Sequence, residues 1–139
     1  MDEYYIKIAL LEAKKAFKND DVPVGAIIVE NNKIISKAYN KREKNNQIID
    51  HAEIIAISKA CKKKKTTYLN NCTLYVTLEP CMMCTGAILQ SHIKRVVYCT
   101  DSPKYGYLSK NNNAVEIVKG ICEKESSDLL KEFFKTKRK

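Results

Sequence analysis

The sequence predicts an α/β protein of three layers, a mixed sheet of about five strands with helices on both faces. Three observations carry this expectation. A helical apolar stripe precedes two short β-branched runs joined by two residues; a strand, helix, strand succession fills residues 73 to 100; and 139 residues suffice for one core, with no repeat or linker to divide residues 1–139. The chain is read as one domain.

Residues 3 to 18 place Tyr5, Ile8, Ala9, Ala13, Ala16 and Phe17 on one helical face, interrupted only by Glu12. Asn19, Asp20 and Asp21 end that helix. Val24 to Val29 and Lys33 to Tyr39 read as strands, and Asn31-Asn32 between them reads as a hairpin turn. Polar residues 40 to 50 form a loop, with Asp50 or a neighbour able to cap a helix that begins near His51 and buries Ile54, Ile55, Ile57 and Ala60. That helix runs out in Lys62 to Lys65.

Thr73 to Leu78 is a third strand. Pro80 and Cys81 open a helix reaching about Ser91, and Arg95 to Thr100 is a fourth strand, so this unit is expected to be a right-handed parallel crossover. Residues 101 to 113 form a loop, Val115 to Val118 a weak fifth strand, and a last helix covers about 122 to 137.

Composition narrows the function classes. Hydrophobic residues are 45% and charged residues 29%, a soluble globular mixture without a membrane-length apolar run. The opening residues lack the apolar core and cleavage site of a secretory signal, which makes the cytoplasm the expected compartment. Six cysteines therefore read as two ligands, Cys81 and Cys84, and four buried thiols rather than three disulfides. Lysine and arginine number 25 against 16 acidic residues, a net charge of +9 that suits a polyanionic partner, although a lysine-rich composition alone gives the same sum.

The chemistry concentrates in His51-Ala52-Glu53 and Pro80-Cys81-Met82-Met83-Cys84, each at a helix start. One imidazole and two thiolates fill three positions of a tetrahedral zinc ion and leave the fourth for water, the mark of a catalytic site. Helix N-termini favour thiolates. Glu53, two residues beyond His51, is placed to carry protons to and from that water. Each piece alone has a plainer reading: a redox or structural Cys-x-x-Cys, a capping histidine, a solvated glutamate. Together, His-x-Glu and Pro-Cys-x-x-Cys form the signature of zinc deaminases, whose water attacks the ring carbon bearing an amino group.

Around these residues, Asp21-Val-Pro-Val-Gly-Ala26, His51-Ala-Glu-Ile54, Leu74-Tyr-Val-Thr-Leu-Glu-Pro-Cys-Met-Met-Cys84 and Leu129-Leu-Lys-Glu-Phe-Phe134 resemble the bacterial tRNA-specific adenosine deaminases, of the cytidine deaminase-like superfamily. The resemblance spans nearly the whole chain. It implies conversion of adenosine to inosine at the wobble position of a tRNA anticodon stem-loop, by a cytoplasmic homodimer with one zinc per subunit. It also implies that Asn40 bonds the target nucleotide, that Val24 walls the base pocket and that Asp101 lies beside flanking nucleotides. Asparagine is equally a turn former and valine plain strand core.

The final helix offers Lys131, Lys135, Lys137, Arg138 and Lys139 for phosphates, with Leu130, Phe133 and Phe134 for packing. Between Asp101 and Val115 the chain is several residues shorter than the family pattern, and Lys104-Tyr-Gly-Tyr-Leu-Ser-Lys-Asn-Asn-Asn113 stands there, its Tyr105 and Tyr107 able to stack on bases or to cover a core edge. Two other functions share the metal residues: a deaminase of free nucleobases, nucleosides or nucleotides, of guanine or cytosine type, and a non-catalytic zinc-stabilised RNA-binding subunit. The basic charge and the presence of Glu53 favour the tRNA enzyme over both.

Overall fold

The computed structural model describes residues 1–111 and 114–137. Arg138 and Lys139 of the expected basic tail, and Asn112 and Asn113 of the expected loop, lie outside them. The elements run α1 (Asp2–Lys18), β1 (Gly25–Glu30), β2 (Lys33–Tyr39), α2 (Arg42–Asn45), α3 (Ala52–Lys64), β3 (Thr73–Leu78), α4 (Met82–Gln90), β4 (Arg95–Thr100), a 3-10 turn Leu108–Lys110, β5 (Glu116–Lys119) and α5 (Glu123–Lys137).

Five strands form one sheet in the order β2-β1-β3-β4-β5. β1 pairs antiparallel with β2 and with β3, whereas β3, β4 and β5 are parallel. The mixed sheet expected from the sequence is thus the one observed. Asn31 and Asn32 both take positive φ, 51° and 61°, the geometry a two-residue hairpin needs for its turn to follow the strand twist. Asparagine tolerates that region better than most residues, so the turn fixes the register Glu30 against Lys33.

Alternation within the strands builds two cores. Ala26, Ile28, Leu74, Val76, Val96 and Tyr98 face α3 and α4, while Ile27, Val29, Tyr75, Val97 and Cys99 face α1. Both faces are buried, which explains why these strands read as nearly continuous apolar runs. α1 buries Ile6 and Leu10 rather than the expected Ile8 and Phe17, which are half-covered. Phe17 turns instead to α5, where its ring meets Phe133 edge-on at 5.8 Å.

Two close contacts fix α1 on the sheet. Gly25 lies directly against the Ala9 carbonyl and the Ala13 amide, leaving no room for a Cβ. At the other end Arg95 donates to both oxygens of Asp2 at 3.0 and 2.7 Å, and Tyr75 adds its hydroxyl at 2.8 Å. The guanidinium holds the Asp2 carboxyl below the usual carboxylate range. No helix among the described residues is long and apolar enough to cross a membrane.

α3 differs from expectation in the face it buries. Ala52, Glu53, Ala56, Ile57 and Ala60 point inward, and Ile54 and Ile55 are half-exposed. Small residues on the inner face let the helix lie close to the sheet. None of the six cysteines is paired; Cys72 and Cys99 are buried as expected, but Cys61 and Cys122 are only partly covered.

Candidate metal centre and its cleft

Parallel pairing of β3 with β4 carries the chain over the sheet through α4, so α4 starts at the C-terminal end of β3, the middle strand. α3 starts beside it. His51 is the N-cap of α3 and Cys81 the N-cap of α4, both with extended backbones whose carbonyls accept the first helical bond, from Ile55 at 3.1 Å and Thr85 at 2.8 Å. Cys84 follows Cys81 by three residues, one helical turn, which puts both sulfurs on one face. Two helix starts therefore deliver three donors to one point.

His51 Nδ1 lies 3.7 Å from Cys81 Sγ and 3.5 Å from Cys84 Sγ, and the three donor atoms all fall within 4.8 Å of one another. A tetrahedral zinc with bonds of about 2.05 Å to nitrogen and about 2.3 Å to sulfur spaces such ligands about 3.6 Å apart. The donor set fits zinc in type and in separation. The neighbouring Cys84 thiol, together with His51, draws the Cys81 thiol down to about 4, while the contact with Cys81 and burial drive Cys84 far up. The bond to Cys81 raises His51 against the effect of burial. Metal binding by such thiols displaces their protons.

Glu53 occupies the second position of α3 and is 4% exposed. Burial pushes its carboxyl up to about 7, opposed by its own backbone amide and by His51. An acid held there gains and loses a proton near neutrality.

Asp50 does not cap α3; Asn45 donates to its carboxylate at 2.8 Å instead. The cap comes from Asn40, whose Oδ1 accepts the Ala52 amide at 2.7 Å. Asn40 thus fixes the helix start, a role its local sequence does not indicate, and it also lines the cleft. With Oδ1 committed, its amide nitrogen is the group left to offer a ligand. Asp21 organises the neighbouring loop in the same manner, accepting the Glu43 and Lys44 amides at 2.8 and 3.3 Å and so folding α2, which local patterns did not suggest.

The cleft of about 1680 Å³ brings together His51, Glu53, Cys81, Asn40, Val24 and Asp101. All of the expected site residues but Cys84, which is fully buried behind Cys81, line it. That volume exceeds the several hundred Å³ of an ordinary small-molecule pocket. Val24 is 4% exposed, an apolar wall. Asp101 is exposed, accepts the Tyr98 hydroxyl at 2.7 Å and pairs with Lys119.

Charge around the cleft is asymmetric. Its acidic side chains are either buried, as Asp21, Glu53 and Glu79 are, or held in ion pairs, Asp20 by Lys137, Glu43 by Arg42 and Asp101 by Lys119. Lys44, Lys104, Lys131 and Lys135 are exposed and line the same cleft. α5 therefore contributes lysines and Phe134, 45% exposed, while Phe133 packs inward. Tyr105, 67% exposed, also faces the cleft, whereas Tyr107 is half-covered.

The sheet order, the paired helix starts and the His-Cys-Cys set beside a buried carboxylate define a hydrolytic deaminase. The model of the MafB19-like deaminase family matches residues 1–138. A tRNA-specific adenosine deaminase of Bacillus subtilis (strain 168) is 42% identical over 147 residues, covering 99% of this chain and 91% of that protein. A solved structure from a study of A-to-I editing by tRNA:A34 deaminases at the wobble position superposes with a TM-score of 0.87 at 34% identity, covering 91% of this chain and 99% of the other. A guanine deaminase of Bacillus subtilis is 37% identical with a TM-score of 0.68, covering 71% and 64%. This chain belongs to the MafB19-like deaminases and, within them, to the tRNA-specific adenosine deaminase family.

Proposed function

We propose that this protein converts adenosine to inosine at the first anticodon position of a transfer RNA, with one zinc held by His51, Cys81 and Cys84. The observation that carries the reading is the convergence of this donor set with Glu53, Asn40 and Val24 on one lysine-bordered cleft. Zinc bound there supplies a water acidified toward neutral pH. Glu53 accepts a proton from the attacking water and returns protons to the ring nitrogen and the departing amine. One water is consumed, a C–O bond replaces the C–N bond, and ammonia leaves.

Asn40 donates through its amide nitrogen to the target nucleotide, held in place by the α3 cap. Val24 packs on the base. The exposed lysines of the cleft meet the flanking phosphates, with Asp101 at the mouth. Incubation with an anticodon stem-loop bearing adenosine at its first anticodon position is expected to yield inosine, and a chelator to abolish it. Ammonia release from free guanine, cytosine or adenosine with no inosine in the stem-loop would overturn this reading in favour of a free-base enzyme.

The family resemblance also supports a homodimer acting in the cytoplasm, where six free thiols stay reduced. α4 leaves Met82 66% and Leu89 41% exposed, an apolar face suited to a second copy. Sedimentation is expected to give twice the chain mass of 15.9 kDa; a monomer at micromolar concentration would refute the dimer.

A further inference from the structure

Glu79 has no part in the chemistry above, yet it is a 5% exposed carboxylate two residues before a zinc ligand. A buried carboxylate is tolerated only with donors around it, and here, among the described residues, they come from the loop after β4. Oε2 accepts the Ser109 hydroxyl at 2.6 Å and the Ser109 amide at 3.0 Å, and Oε1 accepts the Ser102 amide at 3.2 Å. Gly106 sits so close against the carboxyl that a Cβ there would displace it. The adjoining backbone continues the tie: the Glu79 amide donates to Thr100 at 3.0 Å, and the Pro80 carbonyl accepts the Tyr107 amide at 3.0 Å.

The segment from 101 to 110 contains only one short 3-10 turn, with Leu108 as its buried plug. It is wound around one side chain. Its outward residues Asp101, Lys104 and Tyr105 line the cleft, so this part of the wall stands where the Glu79 carboxylate holds it. We infer that Glu79 is a positioning residue that sets this wall for the nucleotides flanking the target base. This rests on the proposed function for its substrate, but the anchoring itself does not.

Replacing the carboxylate with an amide, Glu79→Gln, leaves one oxygen to accept and turns an NH2 group toward amide donors. Expected for E79Q are unchanged zinc content, a kcat within about twofold of wild type and a KM for the stem-loop raised about tenfold, as for loss of charge-assisted bonds. Hydrogen exchange at the Ser102 and Ser109 amides is expected to quicken by about tenfold or more. G106A, which pushes on the carboxyl from the other side, and S109A are expected to shift KM the same way, and serve if E79Q fails to fold. Unchanged exchange at both amides, or a fall in kcat with KM intact, would overturn the inference. A wild-type chain inactive on the stem-loop would strike the proposed substrate instead, while the exchange result still judges the anchor.

Discussion

Glu53→Gln is expected to lower kcat on the anticodon stem-loop by about three orders of magnitude while zinc content stays at one per chain. Gln keeps the shape of the side chain at the second position of α3 but neither accepts nor returns a proton, and positioned acid–base groups contribute about 10²–10⁴ in rate. His51, Cys81 and Cys84 are untouched, so metal analysis separates loss of the proton carrier from loss of the site. Turnover near wild type would remove Glu53 from the mechanism. In the metal-free chain the same substitution is expected to stabilise the fold at neutral pH. Burial raises the Glu53 carboxyl to about 7 from 4.5, so the folded state binds the extra proton between those values and loses stability as pH rises through them. Thermal melting of both chelated proteins from pH 4.5 to 7.5 reads this directly, and a gap between them that fails to widen with pH contradicts it.

Cys84→Ala is expected to abolish stable zinc binding and to reduce deamination at least about a hundredfold, whereas Cys72→Ala retains both. Cys84 is fully buried and supplies a donor 3.5 Å from His51, and a site left with one imidazole and one thiolate has lost a third of its protein ligands. Cys72 is also buried, but it lies at the start of β3, the end of that strand remote from Cys81, where it neighbours Glu30 and Lys64. Burial pushes its thiol up, which keeps it protonated and inert. Metal analysis of the purified variants, followed by the stem-loop assay, makes the comparison. Zinc retained by the Cys84 variant would break the assigned donor set.

What the sequence disclosed, and what it withheld, follows the range of the interactions. Asn31-Asn32 announced the hairpin because a left-handed turn is a local requirement, and 73–78 and 95–100 announced strands because their β-branched runs are local too. The gathering of His51, Glu53, Cys81 and Cys84 at one place was legible because a metal-ligand pattern restricts residue type and because helix starts fix spacing. Residues 40 to 50 read only as loop: Asp21 folds α2 from 22 positions away, and Asn40 caps α3 from 12, and no window along the chain contains both partners. α1 is apolar on more than one face, serving both the sheet and α5, so periodicity identified the helix but not its rotation. Glu79 carries no local signal of its role. Its donors lie 23 and 30 residues further on.

The bond from the Ala52 amide to Asn40 has an engineering consequence. Whoever seeks a different base preference will be drawn to randomise the side chains around Val24, and position 40 belongs to that neighbourhood. Yet a library that varies it also loosens the first turn of the helix bearing His51 and Glu53, so clones altered there will confound altered selectivity with a poorly seated ion. Diversity is better placed at Val24 and the Tyr105 side of the opening, with Asn40 left unchanged to hold the start of α3.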